Sequence, residues 1–173
     1  TNPPAHSLFP FAMNAGSVAP VAVDHLYPSY PLDIVAASDV IYAWHSDGTI
    51  PLDADGAGLT YGDMTVRGSN YEGGPSIADL DGDGAKEVFG VASDSTQVVV
   101  VKQSGQTMAG WPQHILDRVW SSVAAGDLDN DGKREIVFTA YSGPRIYAFK
   151  STGAEWRDGD ADAGRAYPEG GEV

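Results

Sequence analysis

The feature that most constrains this 173-residue chain is a pair of aspartate runs placed at the same phase of an internal repeat. "DLDGDGAKEVFG" begins at Asp79 and "DLDNDGKREIVF" begins at Asp127. A shift of 48 residues carries Asp79, Asp81, Asp83, Gly84 and Glu87 onto Asp127, Asp129, Asp131, Gly132 and Glu135. The same shift carries Val88 onto Ile136, Val98 onto Ile146 and Gly105 onto Gly153. Acids, glycines and apolar positions recur together, which marks one structural unit used more than once. A degenerate third copy lies upstream, where Pro20 to Gly48 parallels Pro75 to Gly105. In this parallel Asp24 stands for Asp79 and Asp33 for Glu87 after a one-residue insertion, with Leu26 and Pro28 in place of the middle aspartates.

Between the aspartate runs the chain is rich in β-branched and aromatic clusters such as "DIVAAS", "QVVVV" and "EIVFTAY". With 21 Gly and 11 Pro to make turns, this composition predicts an all-β fold. Each copy reads as four short strands. In the third copy they are Ser122–Gly126 (A), Glu135–Ala140 (B), Arg145–Phe149 (C) and a strand D after the turn at Thr152–Gly153; in the second, strand D falls at Met108–Trp111. Four antiparallel strands in a period of about 40–50 residues describe the blades of a β-propeller, with a β-sandwich of accidental self-similarity as the alternative. The expected organisation is strand D of a preceding blade (1–17), then blades at 18–70, 71–120 and 121–173. Three blades fall short of the usual four to eight. The expectation is a piece of a larger propeller, completed by further blades of the full-length chain or by other copies. Acidic insertions after strand C, with Asp53 and Asp55 in one copy and Asp158, Asp160 and Asp162 in another, share a rim with the aspartate loops. They read as solvated loops, because no matching glycine and closing acid follow.

The loops have the pattern D-x-D-x-D-G-x-x-E. Side chains at positions 1, 3 and 5 converge if the loop curls, the glycine at 6 permits the turn, the carbonyl at 7 points inward and the acid at 9 closes the ring. An oxygen-only, flexible set of this kind suits Ca²⁺, whereas Mg²⁺ wants a stricter octahedron and Zn²⁺ wants His or Cys. Two calcium sites follow: Asp79, Asp81, Asp83, the Ala85 carbonyl and Glu87; and Asp127, Asp129, Asp131, the Lys133 carbonyl and Glu135. The first copy, lacking middle acids, is expected to bind none. An EF-hand shares the alternating acids but needs a glutamate at position 12, where Gly90 and Phe138 stand here, and the following segments read as strands. The loops and their flanking strands resemble FG-GAP/VCBS repeats, the units of the integrin-α-type calcium-binding β-propeller, and "GWP" at 110–112 is similar to bacterial secreted members. That resemblance implies calcium held by positions 1, 3, 5, 7 and 9, and an extracellular role in adhesion or ligand recognition.

Net charge of −14 argues against nucleic acid or an anionic membrane as partner. No apolar stretch is long enough to insert in a bilayer, and the absence of cysteine excludes disulfides and thiolate zinc sites. The histidines (His6, His25, His45, His114) have no metal-ligand spacing and read as surface or strand residues. No catalytic constellation is visible. Tyr42, Trp44, Tyr147 and Phe149 read as packing between blades; Tyr71, Arg118, Trp120, Tyr141 and Arg145 form a candidate ligand rim opposite the calcium loops, for a glycan or a protein, with packing the favoured reading of its aromatics. The expectation is a calcium-stabilised recognition, adhesion or scaffold module outside the cell, on its surface or in the periplasm. The alternatives are the propeller of a polysaccharide lyase or hydrolase, or a non-catalytic propeller attached to a secreted protease.

Overall fold

A computed structural model of the chain describes residues 13, 16–17, 19–51, 62–65, 69–143 and 145–156. The expected 1–17 strand and both acidic insertions fall largely or wholly outside these residues. The described residues form strands and no helix. β1 (Ala22–Asp24), β2 (Asp33–Ala37) and β3 (Ile41–His45) make the first sheet. β4 (Ser76–Ala78), β5 (Glu87–Ala92), β6 (Gln97–Val101) and β7 (Gln113–His114) make the second; β8 (Ala124–Gly126), β9 (Glu135–Thr139) and β10 (Ile146–Phe149) make the third. Every neighbouring pair is antiparallel and sequential. In the first and third sheets the fourth position is marked by single bridges, Tyr42 to Asp63 and Phe149 to Glu155. These are up-and-down propeller blades, as expected.

Strand D of the second blade is displaced from its expected place. Thr107 bridges Val101, and the Met108 N–H bonds the Val100 carbonyl, but the ladder then breaks and resumes at Gln113–His114 against β6. Gly110 has φ +89°, and Pro112 has no N–H to donate, so 110–112 cannot stay in the sheet. A Cβ at Gly110 would stand 2.0 Å from the Thr152 carbonyl oxygen, so a glycine is required where this turn crosses the third blade.

The B and C strands are largely buried, which explains their near-continuous apolar runs, whereas the A strands are half-buried or exposed. Period-two alternation sends successive β5 side chains to opposite neighbours. Val88 and Ala92, with Val101, pack against Val35, Ala37, Ile41 and Ala43 of the first blade. Phe89 and Val91, with Val98 and Val100, pack against Ile136, Phe138, Tyr147 and Phe149 of the third. Each fully buried side chain of this size contributes roughly 1.5–3 kcal/mol. Tyr42 and Trp44 stack in a third cluster on the far face of the first blade. The A strands β1, β4 and β8 lie innermost around a hollow of about 490 Å³.

Blades two and three are also joined through Asp117, a buried residue in the connection between them. Its carboxylate accepts bonds from Tyr147 Oη (2.7 Å), Arg145 Nη1 (2.9 Å) and Ser142 Oγ (3.0 Å). Burial alone would raise the carboxyl, but these bonds and the Arg145 charge outweigh it and hold it below the ordinary 3.8. A folded value below the unfolded one adds stability above the unfolded pKa and loses it as pH falls through the folded value. Asp117→Asn should therefore cost about 2 kcal/mol at neutral pH. Urea melts of both proteins should show that gap narrowing below pH 3.8; a gap independent of pH would contradict this role.

Candidate metal centres

Each acidic loop joins strand A to strand B of its blade, and its curl is made by left-handed residues at positions 4 and 6. Gly82 and Gly84 have φ +78° and +89°; Asn130 and Gly132 have +61° and +89°. Asparagine is among the few residues with a side chain that tolerate this region, which accounts for its place opposite Gly82. The Asp79 carboxylate accepts the N–H groups of Gly82 (2.8 Å) and Gly84 (3.1 Å), and Asp127 accepts those of Asp131 (3.1 Å) and Gly132 (3.0 Å). The first aspartate therefore folds the loop around itself.

That folding gathers Asp79, Asp81 and Glu87 in one loop and Asp127, Asp129 and Glu135 in the other, with one oxygen from each carboxylate within 4.8 Å of the others. Two oxygens on opposite sides of a calcium ion, each at about 2.4 Å, stand about that far apart. The acidic clusters can therefore hold a metal ion. Asp83 and Asp131 lie outside the gathered oxygens; each accepts the N–H of position 7, Ala85 or Lys133, at 2.8 Å. The closing glutamates are buried, and one oxygen of each accepts a loop N–H, Leu80 to Glu87 at 3.0 Å and Leu128 to Glu135 at 2.8 Å. Burial pushes the Glu87 carboxyl up, and the charges of Asp81 and Asp83 add to that, against the Leu80 N–H and Lys102. A cation among these oxygens would relieve that strain.

Family models match the chain over both acidic loops. An FG-GAP-like repeat matches residues 79–138 and an FG-GAP repeat matches 119–167. The chain belongs to the FG-GAP repeat family. No curated protein matches it at a significant level. Among solved structures, the V. cholerae biofilm matrix protein Bap1 shares the fold over 84% of this chain, with a TM-score of 0.58 and 17% identity. The matched region is 25% of that protein, so the FG-GAP chain spans about a quarter of its length.

The first FG-GAP blade closes its loop with a different set of side chains. Its loop has no insertion: Asp33 pairs with Asp24 as Glu87 pairs with Ala78, which corrects the alignment of Asp24 with Asp79. His25, Tyr27 and Ser29 then occupy positions 1, 3 and 5. Asp33 keeps the closing role, its Oδ2 accepting the N–H groups of Leu26 (2.9 Å) and Tyr27 (2.7 Å). Its other oxygen accepts a bond from Nδ1 of buried His45 at 2.6 Å. Tyr30 stacks on that imidazole at 3.4 Å and Tyr27 meets it edge-on at 5.1 Å. His45 is thus a strand residue, as expected, but with a fastening role that sequence spacing did not signal.

The candidate rim residues divide. Trp120 and Tyr141 are exposed and stacked, with centroids 3.7 Å apart. Arg118 is beside them, its carbonyl accepting the Tyr141 N–H, and it lines a polar hollow of about 150 Å³ with Asn70, Glu72, Ser93 and Asp94. Tyr71 is instead 5% exposed, packed between blades one and two, and burial pushes its phenol up to about 12. Its ring is therefore not presented at the rim, because the β2–β5 interface needed a large apolar group there. Arg145 is engaged by Asp117.

The Asp33–His45 fastening of the first blade makes a prediction. Asp33→Ala leaves two loop N–H groups and a buried imidazole without their acceptor, at a cost of about 3 kcal/mol. The loss of melting temperature should be equal in calcium and in chelator; a loss seen only in calcium would make the first loop a metal site.

Proposed function

We propose that the chain is a calcium-stabilised part of a secreted or cell-surface β-propeller that acts as a non-catalytic recognition, adhesion or matrix module. The observation that carries this reading is the twofold gathering of carboxylates, at the same repeat phase, around a buried closing glutamate. Calcium would be held by Asp79, Asp81 and Glu87 and by Asp127, Asp129 and Glu135, with Asp83, Asp131 and the carbonyls of Ala85 and Lys133 completing the shells. In this reading the metal supplies charge neutralisation and no chemistry on a substrate. Further blades, from the same full-length chain or from other copies, would complete the propeller. Likeness to a biofilm matrix protein supports an extracellular setting. The ligand surface would be the rim of Trp120, Tyr141 and Arg118, where an aromatic face and hydrogen-bonding groups suit a glycan or a protein.

Two experiments test this. Melting should be followed in calcium and in chelator, with bound metal counted by elemental analysis. Two ions per chain are expected, and calcium at about a hundredfold over its dissociation constant should add about 2.7 kcal/mol per site. An unchanged melting temperature with no bound metal removes the calcium assignment. Glycans and protein ligands should be screened for binding and for cleavage in parallel. Trp120→Ala is expected to weaken any binding at least tenfold without altering calcium content. Turnover abolished by a rim substitution would instead favour an enzyme.

A further inference from the structure

The residue at loop position 8 is basic in both acidic loops, Lys86 and Arg134, and in each case it reaches backwards to the preceding blade. Arg134 Nη1 donates to the main-chain carbonyl of Asp79 at 2.5 Å, and the Arg134 N–H donates to the Leu80 carbonyl at 3.0 Å. Position 8 of the third blade's loop is thus bonded to positions 1 and 2 of the second blade's loop. The loops approach at another point, where a Cβ on Gly82 would stand 3.2 Å from the Gly132 carbonyl oxygen. Lys86 makes a different link one blade earlier, its Nζ 2.6 Å from the side-chain Oδ1 of Asp24 at the end of β1. The difference is that Lys86 ties an acidic loop to the first loop, which is closed by Asp33 and His45.

We infer that Arg134 couples the two calcium sites, so that filling either one raises the affinity of the other. This rests on the calcium reading above. Arg134 lies between Lys133, whose carbonyl belongs to the third blade's proposed shell, and Glu135, its closing acid. Calcium there would fix residues 133–135 and so fix the two bonds from Arg134 to Asp79 and Leu80. Asp79 supplies the first ligand of the second blade's site, and Leu80 donates the N–H that holds Glu87. Ordering achieved by the first ion is then not lost again when the second binds, which is positive coupling. Electrostatics act in the other direction, because an ion in one site lowers the negative potential at the other. That effect is screened over about 8 Å at physiological salt, and the ordering effect does not depend on salt in this way. Coupling is reciprocal, so either site can be used to measure it, and a factor of about 5 is expected, the lower end of the ordinary range, because the Arg134 link is exposed.

The test is calorimetric titration of the whole chain with Ca²⁺ alone in about 0.15 M salt. Asp127→Asn/Asp129→Asn isolates the second blade's site and Asp79→Asn/Asp81→Asn isolates the third's; the latter keeps the main-chain carbonyl that Arg134 holds. The overall constant of the unmodified protein should exceed the product of the two isolated constants by about fivefold. Arg134→Met removes the side-chain bond to Asp79 and keeps the main-chain bond to Leu80, so it should lower that ratio toward one. Lys86→Met removes an equal charge and should leave the ratio intact; its loss there would show that the coupling is not particular to the Arg134 contacts and overturn the role of Arg134. A ratio of one in the unmodified protein, or a ratio unchanged in Arg134→Met, overturns the proposal. If no calcium is taken up at all, the loop assignment itself fails, a result distinct from two independent sites. Where an isolated-site variant does not fold, amide exchange answers the same question. Protection of Gly82 and Gly84 should follow the same calcium curve as that of Gly132, and the curves should separate in Arg134→Met; curves already separate in the unmodified protein overturn the coupling.

Discussion

A buried carboxylate at the first residue of strand B is the contact on which each blade depends. Asp33, Glu87 and Glu135 occupy this place in turn, and each accepts the N–H of a leucine seven residues earlier, Leu26, Leu80 or Leu128. That bond closes the A–B loop over the edge of the blade. It also leaves a carboxylate almost wholly removed from water, which is costly unless a hydrogen-bond donor or a positive charge meets its second oxygen. In the first blade the partner is the His45 ring. In the other two, neighbouring aspartates make the demand larger, and a divalent cation is the partner that the donor set suits. The same closing carboxylate is thus surrounded by an imidazole in one blade and by aspartates in the other two.

Stacking the blades places these loops side by side. The A strands converge on the inner hollow, so adjacent loops come close enough for a side chain from one to touch the backbone of the next. The opposite ends of the blades carry other groups: a buried Asp117 network, and a stacked Trp120–Tyr141 pair beside a polar hollow. One rim is therefore committed to fastening, and the other retains exposed aromatic and charged groups suited to contact with a partner.

Much of this was legible in the residues. The repeat, the strands and the gathering of acids at positions 1, 3 and 9 all follow from local pattern, because a loop nine residues long determines its own curl. Asp83 and Asp131 show the limit of spacing, since each is turned to a backbone N–H while the other acids converge. Tyr71 shows another limit. Its place near a connection suggested a surface, yet the facing blade covers it. His45 had no signal of its own, because its partner Asp33 is met only across the β2–β3 register.

The sequence by itself determined the blade unit, its all-β character and the two acidic cradles, because these depend on side-chain alternation and on contacts within a few residues. Tertiary structure decided the rest. It removed the insertion assumed in the first loop, because strand register rather than acid spacing aligns Asp33 with Glu87. It moved strand D of the second blade to Gln113–His114, where the crossing at Thr152 allows it to run. It gave Lys86 and Arg134 their partners in the preceding blade, a pairing 55 residues apart for Arg134 and Asp79. Such pairs lie beyond local pattern, because packing of one blade on the next brings them within reach.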